Sequence, residues 1–157
     1  MKAHMGLGLC VAAALAACAS GGTDETGGVD RIASTTSFGM CIGYCKTSLD
    51  ISEGEAVLKR EAWGRGSGGE LPPQRFSATL SPGEWRDLAE LAAAARIDAL
   101  PDIIGCPDCA DGGAESLTIV VDGVSKTIAF DHGADIKEAG LLLERVRALR
   151  ARLTPAE

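Results

Sequence analysis

Two runs of alternating apolar and polar residues, 116–121 and 124–130, are separated only by Asp122-Gly123, the preferred dipeptide of a two-residue type I′ turn. The chain must therefore double back there as an antiparallel hairpin. A second alternation begins at Cys45, with Thr47, Leu49 and Ile51 on its side and Lys46, Ser48, Asp50 and Ser52 on the other, the period of a half-buried strand. Glu53-Gly54 marks a turn, and residues 55–63 continue as a second strand. Gly64, Gly66, Gly68 and Gly69 then open a loose loop running to Pro72-Pro73. Phe76, Ala78 and Leu80 alternate with Arg75, Ser77 and Thr79 in a third strand. Ser81-Pro82-Gly83-Glu84 combines an N-cap serine, a proline at the first helical position and a glutamate three after the cap, which starts a helix. Trp85, Leu88, Leu91, Ala92 and Ala95 share one face of it, so it extends to about Arg96. Residues 100–114 read as loop. After the hairpin, a helix over residues 134–153 sets Ile136, Ala139, Leu143, Val146 and Leu149 on one face. Arg145, Arg147, Arg150 and Arg152 lie towards its C-terminus, where cations suit the helix dipole. The order β-β-β-α-β-β-α predicts an α+β fold, a small antiparallel sheet with two helices packed on one face. With aromatic residues at 4%, its core must lean on Leu, Ile, Val and Ala.

The N-terminus does not share this patterning. Lys2 precedes residues 5–17, which carry no charge, and small residues follow, the layout of a secretory signal. The run is well short of the roughly 20 residues that cross a bilayer core. It ends in Leu15-Ala16-Ala17-Cys18, which resembles the lipobox of bacterial lipoproteins at all four positions. That resemblance implies a diacylglyceryl group on the Cys18 thiol, cleavage of residues 1–17, and a membrane anchor on the mature protein. Ala19, where aspartate often signals inner-membrane retention, favours the periplasmic leaflet of the outer membrane. Residues 18–33 are rich in Gly, Ser, Thr and Asp and are expected to form a flexible tether. One domain over residues 34–153 and a tail over residues 154–157 complete the chain. Removal of the signal leaves 14 basic against 22 acidic residues. That balance argues against nucleic acid or an anionic lipid surface as the principal partner, since both require clustered cations.

Four cysteines remain, in the segments Cys41-Ile42-Gly43-Tyr44-Cys45 and Cys106-Pro107-Asp108-Cys109. An exported protein meets an oxidising compartment, so these are disulfide candidates. Residues four apart in a straight strand are about 13 Å apart, and a disulfide needs Cα atoms within about 7 Å, so a 41–45 bridge requires a turn, for which Gly43 is suited. Pro107 and Asp108 favour closure of 106–109. Chain entropy gives about 2 kcal/mol for either local loop and about 4 kcal/mol for a crossed 41–109 bridge, which does not decide the connectivity. Two further readings use the same residues. The paired spacing is similar to the knuckles of a zinc ribbon, with Cys41, Cys45, Cys106 and Cys109 as ligands, although the compartment disfavours zinc. A thiol-disulfide redox pair at Cys106 and Cys109 is the other, yet the loop residues and acids that follow do not lower a thiol pKa as a helix N-terminus does.

The remaining inventory is thin. His132, the single histidine after processing, stands beside Asp131 without a visible nucleophile. Asp102, Asp108, Asp111 and Glu115 surround the second cysteine pair without calcium-loop spacing. Residues 64–69 lack the context of a phosphate loop. No catalytic set, metal site or cofactor is assigned. The segment Ser37-Phe38-Gly39-Met40-Cys41-Ile42-Gly43-Tyr44-Cys45, with the following strand, turn and strand and then Leu80-Ser81-Pro82-Gly83-Glu84-Trp85, resembles bacterial domains of unknown function termed DUF6438. The likeness covers about residues 34–150. Lys46 stands where that family commonly has proline. Many of its members lack a second cysteine pair, which implies local bridging of Cys41 with Cys45. The family implies no substrate. The expectation is a lipid-anchored cell-envelope protein, a non-enzymatic binding or structural module whose ligand or protein partner is unspecified.

Overall fold

A computed structural model describes residues 28–62 and 71–155. The signal segment, Cys18 and the glycine-rich residues 64–69 lie outside the described residues. The strands are β1 (Val29–Ser37), β2 (Lys46–Ser52), β3 (Glu55–Glu61), β4 (Gln74–Thr79), β5 (Ile103–Ile104), β6 (Ala114–Val121) and β7 (Val124–Asp131). The helices are α1 (Pro82–Ala94) and α2 (Gly140–Leu153). The sheet order is β4-β3-β2-β1-β6-β7-β5. Both helices pack on one face of this sheet, as an α+β fold.

The Asp122-Gly123 hairpin forms as its sequence requires. Both residues take positive φ, 49° and 75°, the type I′ signature, and β6 and β7 pair in register from Val121↔Val124 to Ala114↔Asp131. The capping box is complete, with Ser81 Oγ accepting from Glu84 N at 3.2 Å and the Glu84 carboxylate accepting from Ser81 N at 2.9 Å.

Three expectations are corrected. Residues 29–33 are not tether but the start of β1, which lies at the centre of the sheet, antiparallel to both β2 and β6. Its composition hid it: the side chains facing the helices are Ile32, Ser34 and Thr36, all buried, and buried hydroxyls in a strand read like the polar residues of a linker. Second, the loop over residues 100–114 contains β5, whose two residues pair in parallel with Ala129 and Phe130. The sheet is therefore mixed rather than wholly antiparallel, with seven strands in place of five. Two residues are too few to show a period. Third, α2 begins at Gly140, not near residue 134, because a separate 3₁₀ turn, Lys137–Ala139, precedes it.

The core forms where the sheet meets the helices. Ile32, Leu49, Ile51, Leu58, Leu117, Ile128 and Phe130 project from one face onto Leu88 and Ala92 of α1 and Leu142, Leu143, Val146 and Leu149 of α2. The opposite face carries short hydroxyls, with Thr118 and Thr127 2.7 Å apart between β6 and β7. Replacing Ser81 with alanine removes the acceptor for the Glu84 amide of α1. We expect a loss of about 1 kcal/mol, read as a lower urea midpoint with unchanged slope.

Candidate functional site

Both cysteine pairs meet at one end of the sheet. β1 and β2 are joined by residues 38–45, closed at the base where Phe38 N donates to Cys45 O at 3.0 Å. Gly43, at φ +93°, turns the chain and brings the Cα atoms of Cys41 and Cys45 to 5.6 Å, bridged as a disulfide. Cys45 is buried, while Met40 and Ile42 project at 62% and 84% exposure. Arg60 lies over the Tyr44 ring, 4.8 Å from its centroid, and the Tyr44 hydroxyl donates to Pro72 O. The second disulfide, Cys106–Cys109, is also local, with a Cα separation of 5.4 Å. Both of its cysteines are exposed. All four sulfurs are thus bonded within their own loops.

Residues 106–111 hold an unusual backbone. Asp108, Ala110 and Asp111 have φ of 64°, 54° and 59°, a left-handed conformation that costs non-glycine residues energy and persists only where surroundings enforce it. Here the enforcing contacts are visible. Asp108 Oδ1 accepts from Gly113 N at 3.1 Å and from Gly39 N at 3.4 Å, and Asp131 Oδ2 accepts from Cys106 N at 3.4 Å. The Asp108 carboxylate therefore links the two cysteine loops, 69 residues apart in sequence. Gly113, at φ +81°, lies against the Phe38 ring, and a Cβ there would overlap it. His132 also meets Phe38, ring centroids 4.8 Å apart in an edge-on arrangement. The histidine is thus packed rather than paired with a nucleophile.

Beneath this end lies the one buried carboxylate of the described core, Glu115. Arg147 reaches it at 2.8 Å and Arg150 at 3.1 Å, both from α2, and Gly133 N donates to Oε2 at 3.3 Å. Arg150 also donates to Ser34 Oγ on β1, and Arg147 to Ala134 O. Burial pushes the Glu115 carboxyl up, but hydrogen bonds and charge from the two guanidiniums outweigh it, leaving the pKa below its ordinary 4.5.

The loop acids thus have separate roles rather than forming a cation site. Asp108 ties loops together, Glu115 is buried against arginine, and Asp102 pairs with Lys126 at 2.6 Å. Among the described residues no three His, Cys, Asp or Glu side chains are grouped to hold a metal. Cys18 lies outside the described residues. Sequence reasoning assigned Arg147 and Arg150 to the helix dipole and missed their carboxylate. The available signal was position: Glu115 shares the two-residue period of Leu117 and Ile119, which places it on the buried face. No protein-family model matches the chain, and no curated protein is significantly similar to it.

Glu115→Gln would leave two guanidiniums sharing a neutral partner. Loss of one member of a buried ion pair costs about 3–5 kcal/mol, and we expect the lower end because the Arg147 side chain is 32% exposed. Because the folded pKa is depressed, the stabilisation is complete above the unfolded pKa and is lost as pH falls through the folded value. The wild-type and Glu115→Gln unfolding midpoints should therefore converge as pH drops below the ordinary carboxyl value of 4.5.

Proposed function

We propose that the chain is a lipid-anchored bacterial cell-envelope protein, a non-enzymatic binding or structural module held to its membrane through Cys18. The observation that carries this reading is the relation between the lipobox and the fold. β1 begins at Val29, eleven positions after Cys18, and its start is pinned to the β6–β7 turn, with Asp122 N donating to Gly28 O and Gly123 N to Asp30 Oδ2. The cysteine loops lie at the far end of the same strand, roughly 30 Å away for nine residues. A tether at Val29 thus leaves the stapled end, with exposed Met40 and Ile42, projecting from the anchored side. We assign the domain to the DUF6438 kind on the Cys-x-Gly-x-Cys loop and the strands and helix that follow it. Ala19 supports the outer-membrane periplasmic leaflet. Two or three acyl chains anchor far more firmly than one, since each buried methylene contributes about 0.8 kcal/mol.

A second reading has its own observation. Cys106 and Cys109 are both exposed, whereas in the first bridge Cys41 is half-buried and Cys45 buried, so a dithiol in solution reaches the second bridge more readily than the first. This favours thiol-disulfide exchange at 106–109, although Asp108 and Asp131 beside the loop oppose formation of a thiolate there. The reduction potential separates the readings: a value below about −300 mV marks a structural bridge, and one between about −120 and −270 mV marks redox work.

Cys18→Ser tests the anchor. The variant keeps charge, apolar run and fold but lacks the thiol that accepts the diacylglyceryl group. It should incorporate no labelled fatty acid and leave the membrane fraction or accumulate uncleaved. Equal labelling of the variant and the unmodified chain, or labelling of neither, sinks the reading.

A further inference from the structure

We infer that the groove between the end of α1 and the β6–β7 hairpin is a holding site for an acyl chain of this protein's own lipidated Cys18. The inference rests on the lipoprotein reading above and adds an intramolecular site to it. The groove encloses about 430 Å³, within the roughly 300–1,000 Å³ range of small-ligand sites. Its floor and walls are Ala92, Ala95, Ile97, Ile119, Val121 and Val124, and Val124 is 74% exposed. Of the polar groups beside it, Asp98 is exposed to solvent and Lys126 is neutralised by Asp102 at 2.6 Å, so neither calls for a charged ligand.

What identifies the occupant is where the described chain starts. Val29 pairs with Val121, a wall of the groove, and packs against the core on the helix side. Gly28 accepts from Asp122 in the adjoining turn. The chain therefore enters the fold at the groove's rim. Cys18 lies ten positions before Gly28, a reach of up to roughly 35 Å, so its acyl chains can return to the groove without any part of the domain moving. The local concentration created by so short a link favours this hydrocarbon over a free one. Each methylene gains about as much in an apolar groove as in a bilayer. The groove accommodates a fraction of two or three chains, so a bilayer wins when it is present. In its absence the groove shields hydrocarbon from water, which suits a protein crossing an aqueous compartment between membranes.

The test uses the acylated full protein. Cells are fed a diazirine-bearing palmitate, the protein is purified and exchanged into detergent-free buffer, and the sample is irradiated and mapped by mass spectrometry. We expect intramolecular adducts on residues 92–98 and 119–126. Val124→Asp, at a surface position, should reduce those adducts by about tenfold, since it replaces an apolar wall with a second carboxylate beside the solvated Asp98 and so opposes hydrocarbon, while leaving the thermal unfolding midpoint unchanged. Incorporated label with adducts elsewhere, or with groove adducts unaffected by Val124→Asp, overturns the holding site and leaves the lipoprotein reading standing. No incorporated label at Cys18 overturns both.

Discussion

The buried Glu115 carboxylate couples the parts of this fold that local sequence does not join. It sits on β6, receives Arg147 and Arg150 from α2, and through Arg150 reaches Ser34 on β1. An ionised carboxylate at this depth is tolerable only because its lone pairs are filled by two guanidiniums and the Gly133 amide. The same contacts set the rotation and axial position of α2 over the sheet. Apolar packing alone is less directional, since Leu142, Leu143, Val146 and Leu149 would accept small slides against Ile32, Leu117 and Phe130.

Above that network, two loops separated by more than sixty residues share a wall. Their contact depends on the absence of a side chain at Gly113, which lets the Phe38 ring lie on backbone, and on one carboxylate, Asp108, that accepts amides from both loops. Asp108, the left-handed residue inside the 106–109 loop, is held by these contacts and by the disulfide that closes the loop. The two bridges consequently differ in character. Cys41–Cys45 closes over a buried sulfur at the end of the central strand pair, whereas Cys106–Cys109 closes an exposed excursion between β5 and β6.

The molecule has polarity along β1. One end gathers the chain's entry, the Asp122-Gly123 turn and an apolar groove; the other gathers the cysteine loops, His132 and the exposed Met40 and Ile42. Nine residues of strand separate them.

Much of this was legible in the residues. The hairpin, the capped helix α1, the alternation in β2 to β4, the C-terminal helix and the α+β class follow from local rules, because turn chemistry and side-chain period act over a few residues. The need for a turn at Gly43 was legible for the same reason. β1 was not, because a central strand whose inward positions are serine and threonine is indistinguishable from linker until Arg150 is seen to satisfy a hydroxyl. Nor was β5, whose two residues are a strand only by virtue of Ala129 and Phe130 beside them. The sequence by itself determined the elements whose stability is local, because turn chemistry, capping and side-chain period act within a few residues. Only the tertiary structure decided that cysteines pair within loops, that the loops touch through Asp108, and that Glu115 is a buried counterion rather than a surface acid. Those outcomes depend on distances between residues far apart in the chain, which no short window of sequence contains.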